Sequence, residues 1–244
     1  MRRIAKALAG AALMVVGSAG AGANAGSPVV VELFTSEGCN SCPPADAYLA
    51  ELARRPDVLA LGFHVDTWDY LGWTDRFAKP EFSRRQRAYA QALGVAMVYT
   101  PEAVVAGAND VVGSDRAGLD GLIEKAATDG LDIGLAWTAN GSLEVSLPDF
   151  PYQGSATVWF VRYDQRGSSV VTAGENAGRT LEHVNVVREL KAVGMWNGTA
   201  MTVILPAEAV HPETDVDGTY GCAVIVQPEG LGPILGARRI DGEG

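Results

Sequence analysis

The chain has 244 residues, 48% of them apolar, with a formal charge of −10, three cysteines and three histidines. That length carries one large domain or two small ones, and the apolar content excludes global disorder. The acidic balance argues against nucleic acid, whose phosphates demand clustered Lys and Arg, and against an anionic membrane surface; three cysteines are too few for a disulfide-stapled mini-fold.

Met1 to Lys6 carries three basic residues, Ala7 to Gly17 is uncharged and apolar, and Ala23-Asn24-Ala25 offers small residues where a signal peptidase reads. The pattern predicts a signal peptide over 1–25, cleaved after Ala25, and a periplasmic or secreted product. The apolar run falls short of the roughly 20 residues that span a bilayer, and no later run replaces it, so the mature chain is expected to lack a transmembrane segment.

From Pro28 to Gly130 strands and helices alternate. Val29 to Phe34 reads as a buried strand, and Ala45, Leu49 and Leu52 mark one helix face that Pro56 stops. Val58 to Val65 is a second strand. Phe82, Tyr89 and Leu93 line the next helix, with Arg84, Arg85 and Arg87 expected outward and Gly94 ending it. Ala103–Val105 and Val111-Val112 flank a hairpin turn, and Ser114 is placed to cap a last helix carrying Leu119, Leu122, Ile123 and Ala126. The order is β-α-β-α-β-β-α.

Beyond Leu131 the period becomes two. Leu131, Ile133 and Leu135 alternate, as do Leu143, Val145 and Leu147 after the Asn140-Gly141 turn. Further strands are expected at 156–163, 168–172, 184–190, 202–205 and 222–227. This spacing predicts an all-β sandwich-like domain of unknown role over 131–244, following an α/β domain over 26–130.

Cys39-Asn40-Ser41-Cys42 stands between a strand and a helix. The helix N-terminus would offer unpaired N–H groups and its positive dipole end to Cys39, favouring a thiolate, while Glu37 nearby opposes one. Cys39 is then the nucleophile and Cys42 the resolving thiol. Pro43 and Pro44 sit where missing N–H groups cost least. Thr100-Pro101 precedes the third strand, where this topology often carries a cis proline facing the cysteines. An inert structural disulfide is the alternative. Zinc lacks a fourth ligand, and haem attachment lacks its histidine.

These stretches resemble the thioredoxin-like superfamily and, more closely, the exported bacterial family of unknown function 1223. The resemblance rests on Glu32–Cys39 with Cys42-Pro43-Pro44-Ala45-Asp46, on Phe63-His64-Val65-Asp66 with Trp68–Trp73, and on Tyr99-Thr100-Pro101. Gly174-Glu175-Asn176 and Val186-Val187-Arg188 match in the second half. Thr67 stands where an aromatic is expected, and Ala106 where Asp or Asn is. The resemblance implies a thioredoxin-like first domain and export, without an established activity.

From Asp66 to Asp75 there are three large aromatics and three carboxylates, dense enough for a recognition surface or lid over the thiols; a packed loop is the plainer alternative. Asp66 is a candidate proton acceptor for Cys42. The candidate catalytic residues are therefore Cys39, Cys42 and Pro101, and the candidate substrate-binding residues are Asp66, Trp68, Tyr70, Trp73 and Thr100. His64 reads as a satisfied strand histidine, or as part of a Cys39–Cys42–His64 copper site. His183 and His211 carry no signature. Asp215-Val216-Asp217-Gly218 reads as a turn, and Cys222 as a small hydrophobe in an apolar strand. The expected function is thiol–disulfide exchange on an exported protein or a small thiol, with no cofactor and no resident metal. A non-enzymatic binding module with a structural disulfide stands second, and copper handling third.

Overall fold

The computed structural model describes residues 26–126, 130–211 and 220–240. The proposed signal peptide and the Asp215–Gly218 turn lie outside the described residues. The first half holds β1 (Val29–Thr35), α1 (Pro43–Leu52), β2 (Val58–His64), α2 (Pro80–Leu93), β3 (Glu102–Val105), β4 (Asn109–Val112) and α3 (Arg116–Ala126), with a 3₁₀ turn at Asp66–Leu71. These follow the alternation expected from the apolar spacing. Pro80 opens α2, and Gly94 closes it in the left-handed region at φ 71°. Asp115, rather than Ser114, caps α3 by accepting the Gly118 N–H at 3.0 Å. The β3–β4 turn places Ala106 and Gly107 at φ 51° and 66°. Asn or Asp fits the first of those positions better than Ala, which gives the departure at 106 a conformational meaning.

The second half adds β5 (Gly134–Trp137), β6 (Leu143–Leu147), β7 (Ala156–Val170), β8 (Thr180–Trp196), β9 (Met201–Leu205), α4 (Ala207–Val210), β10 (Tyr220–Pro228) and β11 (Gly236–Ile240). Two expected strands merge into β7, β8 is far longer than expected, and β11 was not anticipated.

The expected division into a thioredoxin-like domain and a separate sandwich is overturned. One mixed eight-stranded sheet runs β11-β10-β7-β8-β2-β1-β3-β4 through both halves. β2 pairs in parallel with β1 on one edge and, at Gly62↔Val186, with β8 on the other. β7, β10 and β11 then continue antiparallel. The small β5-β6-β9 sheet does not stand alone. Its Leu143, Val145, Leu147, Val203 and Leu205 pack with Val158, Phe160, Val224 and Val226 of the large sheet. Alternation reveals which face of a strand is apolar, not which edge it pairs along, so sequence period cannot separate one shared sheet from two. All seven residues of β2 are buried, as a central strand requires.

A buried polar knot ties the halves. Arg85 on α2 donates to both carboxylate oxygens of Glu32 on β1, at 2.6 and 2.8 Å, and to Gln227 on β10 at 2.9 Å. The Tyr89 hydroxyl donates to Glu32 at 2.7 Å. Arg85 is thus turned inward, against the outward placement expected from its neighbours. Removing one member of a buried pair leaves the other charge uncompensated. Arg85→Met is expected to destabilise the fold by about 3–5 kcal/mol, read from urea unfolding, and the larger loss falls on this variant rather than on Arg84→Met at the exposed neighbouring position.

Candidate functional site

Cys39 and Cys42 form a disulfide across a Cα–Cα distance of 5.5 Å. Cys39 is 4% exposed and Cys42 0%, so the order of access matches the assigned roles, although both sulfurs are well covered. Cys42 is the residue before α1, and Pro43 and Pro44 fill the first two helical positions. The next two amides, of Ala45 and Asp46, both donate to the Cys42 carbonyl at 2.8 and 3.1 Å. The first turn therefore leaves no free N–H for Cys39, contrary to expectation, and only the helix dipole acts on it. The nearest donor is the Ser41 hydroxyl, 3.2 Å from Cys39 Sγ and 3.4 Å from the Thr100 carbonyl. That carbonyl lies 3.8 Å from Cys39 Sγ, and the Thr100–Pro101 bond is cis, as expected. Pro101 is buried beneath it.

The aromatic loop divides into two kinds of residue. Trp68 is half-buried; its indole donates to Thr100 Oγ1 at 2.6 Å, and its Cβ sits so near Gly38 that a side chain there would approach within 2.9 Å. Trp73 donates to Glu37 Oε2 at 2.8 Å and lies against Gly174. Tyr70 is 75% exposed, as is Met97 on the segment leading to Thr100. Trp73 thus closes the join between the halves, while Trp68 sits beside Gly38 and Thr100, with the Tyr70 ring centroid 6.3 Å from its own. Asp66 is placed differently from expectation. Its carboxylate accepts from Ser83 Oγ at 2.5 Å on α2, which makes it a loop anchor rather than a partner of Cys42.

The buried acids and bases lie elsewhere. Glu37, Asp46 on α1, His64 at the end of β2, Asp75 and His183 on β8 form one cluster behind the cysteines. His64 Nδ1 meets Asp75 Oδ2 at 2.7 Å, and Asp75 also accepts the Glu37 N–H at 2.9 Å. The His64 and His183 rings cross edge to face, centroids 4.6 Å apart. His183 Nε2 lies 3.3 Å from Glu37 Oε1 and Nδ1 lies 3.9 Å from Asp46 Oδ2, and neither nitrogen completes a hydrogen bond. Among the described residues no three His, Cys, Asp or Glu converge as metal ligands, so Cys39, Cys42 and His64 do not form the copper site considered above.

Burial draws the His64 imidazole down, but the Asp75 carboxylate outweighs it and holds the pKa above its ordinary value. Burial pushes Asp75 up, yet His64 and the Glu37 and Phe77 amides hold it low. Glu37 is likewise held low against burial by His183, Ser169 and Trp73. Asp46 goes the other way: burial raises it, and the two histidines only offset this in part. Asp46 follows Cys42 by four residues, so the carboxyl that burial raises lies one helical turn from that cysteine.

The loop before β8 holds the cysteine turn. The Asn176 side-chain amide donates to the Glu37 and Cys39 carbonyls at 2.9 and 3.0 Å, and Arg179 fixes its orientation by donating to Oδ1 at 2.7 Å. Glu175 accepts the Asn40 N–H at 3.4 Å. Gly174-Glu175-Asn176 stood out in the sequence without a role; its work is to clamp the turn. Ser41, Asp46 and His183 had weaker signals. Asp46 and His183 are polar residues at buried positions of an apolar helix face and an alternating strand.

Asn176→Ala strands two buried carbonyls and is expected to cost about 1–3 kcal/mol in urea unfolding and to speed reduction of the disulfide by dithiothreitol. The histidine gives a pH dependence. A raised imidazole pKa supplies stability that is full below about pH 6.5 and is lost as pH rises through the folded value. Asp75 and Glu37, held low, supply stability that is lost only as pH falls below the ordinary carboxylate range. Glu102, pushed up to about 7 by burial, adds a decline of the same sign as His64, but that decline is over near pH 7. Unfolding free energy should therefore fall as pH rises above about 7, and the slope there should flatten in His64→Asn.

No curated protein matches the chain. A protein of Agrobacterium tumefaciens known from its crystal structure is 34% identical, with a TM-score of 0.74 over 89% of this chain and 96% of that one. HBP35 of Porphyromonas gingivalis, 17% identical, shares the fold at a TM-score of 0.59 over 88% of this chain and 75% of that one. Over residues 30–227 the chain matches the family described as a protein of unknown function, DUF1223, and it belongs to that family.

Proposed function

We propose that this is an exported thiol–disulfide exchange protein acting through Cys39 and Cys42. The observation that carries the reading is the placement of Cys39 Sγ between the Ser41 hydroxyl and the Thr100 carbonyl, at the start of α1 and beside a cis proline. A substrate thiolate attacks Cys39 Sγ; the Cys39–Cys42 bond breaks, and Cys42 leaves as a thiolate that takes a proton. A second substrate thiolate attacks the substrate sulfur of the mixed disulfide and releases Cys39. Two electrons and two protons pass from the substrate dithiol to the cysteines, and the reverse sequence reduces a substrate disulfide. Ser41 can donate to the Cys39 thiolate, and the raised Asp46 carboxyl is the group suited to exchange a proton with Cys42. Exposed Tyr70 and Met97 offer apolar contact to an extended substrate.

The 4% exposure of Cys39 favours a second reading, a structural disulfide in a non-enzymatic binding module. A redox titration of the purified mature protein, trapped by alkylation and read by mass, separates the two. Exchange predicts a midpoint of about −120 to −270 mV and loss of activity on insulin or glutathione disulfide in Cys39→Ser. A midpoint below about −300 mV, or full activity in that variant, identifies a structural bond instead.

A further inference from the structure

One cavity opens beyond the buried cluster, and His183 is among the residues that line it. It is a groove of about 710 Å³ between the C-terminal end of α1, the middle of β7, the first part of β8, the start of β10 and the end of β11. Ten residues of helix place it about 15 Å along the axis from Cys42. Asn185 at the groove's edge takes a φ of 47° and ties its side-chain amide to the Ala60 carbonyl, and no pair is formed with Gln165 between Asp164↔Val186 and Arg166↔Val184. Tyr163 lies over Gly221, where any Cβ would come within 2.4 Å of its ring, and both line the groove.

Its charge is opposite to that of the chain. Three arginines, Arg54, Arg166 and Arg239, line it against one carboxylate, Glu182, in a protein of formal charge −10. Arg239 is committed to backbone, donating to the carbonyls of Arg55, Pro56 and Val58. Glu182 already accepts from Ser168 at 2.7 Å. The guanidiniums of Arg54 and Arg166 are exposed and make no hydrogen bond or ion pair among the described residues. Two guanidiniums without a hydrogen-bonded partner, of which Arg54 also lies in the field of Glu51, line a concavity of ligand size together with Tyr163 and suit carboxylate or phosphate oxygens on a small molecule. We propose that this groove binds a small organic anion through Arg54 and Arg166, independently of the cysteine pair.

Calorimetric titration of the full mature protein with citrate, adenosine monophosphate and adenosine tests this. The proposal expects binding of at least one anion, weakened by salt, with adenosine much weaker than its monophosphate. Citrate alone would name carboxylates as the recognised group, and the nucleotide alone would name phosphate. Arg54→Gln and Arg166→Gln should each weaken binding about tenfold while leaving the ligand-free melting temperature unchanged. Cys39→Ser/Cys42→Ser should bind as the parent does, so failure of thiol exchange leaves this proposal standing. No binding by either anion up to about 10 mM, or equal binding in both arginine variants, overturns it.

Discussion

Asn185 donates its side-chain amide to the Ala60 carbonyl at 2.8 Å while its own backbone is left-handed, and this bond holds β8 on the outer edge of β2. The pairing there is brief, one parallel bridge at Gly62↔Val186. At Gly62 the Val184 carbonyl stands 3.4 Å from where a Cβ would be, so the two strands approach to ordinary contact there. What the contact positions is larger than itself. Upstream of Asn185, β8 delivers His183 to the cluster behind the cysteines, and the preceding loop delivers Asn176 to the carbonyls of Glu37 and Cys39. The cysteine turn, which belongs to the first half, is thus held by the second.

That arrangement explains why the two halves share a sheet. A free C-x-x-C turn needs only its own strand and helix. Here Glu37, one residue before Gly38, is buried and needs partners for its charge, and it takes one from each direction: the Trp73 indole and the His183 ring. Five ionisable side chains packed together are costly to bury, and apolar residues of similar volume would usually be as stable or more so. Their retention beside a disulfide is what links the cluster to proton exchange in the proposed function, since reduction must place two protons on the sulfurs. The Glu32–Arg85 knot differs: every member is hydrogen-bonded, none adjoins a cysteine, and its effect is to lock α2 to β1 and β10.

The local elements were readable because each rests on local rules. Gly94 and the Gly107 turn announced their boundaries, and the apolar runs of β1 and β2 announced buried strands. The sheet was not readable, since β8 reaches β2 across more than a hundred residues and alternation is silent about edges. The same limit misplaced side chains. Arg85 looked outward beside Arg84 and Arg87, yet its partner Glu32 sits in a strand 53 residues away. Asp66 looked like a partner for Cys42 because it leaves β2 beside the site, but Ser83 on α2 captures it first. Cys39, Cys42, Pro101, Trp68 and Thr100 do converge, because strand, helix start and hairpin bring them together within the first half.

The paired prolines after Cys42 carry the last consequence. A helix start ordinarily helps a nearby thiolate in two ways, through open N–H groups and through its dipole. Pro43 and Pro44 delete two of those donors, and the Cys42 carbonyl takes the next two. Only the dipole remains, with a buried anion, Glu37, two residues from Cys39 opposing it. Stabilisation of a Cys39 thiolate then falls to a single rotatable hydroxyl, that of Ser41, which the Thr100 carbonyl also engages. In the proposed function, a substrate strand seated against Thr100 would alter what that hydroxyl can do, which would couple binding to thiolate stabilisation through one O–H group.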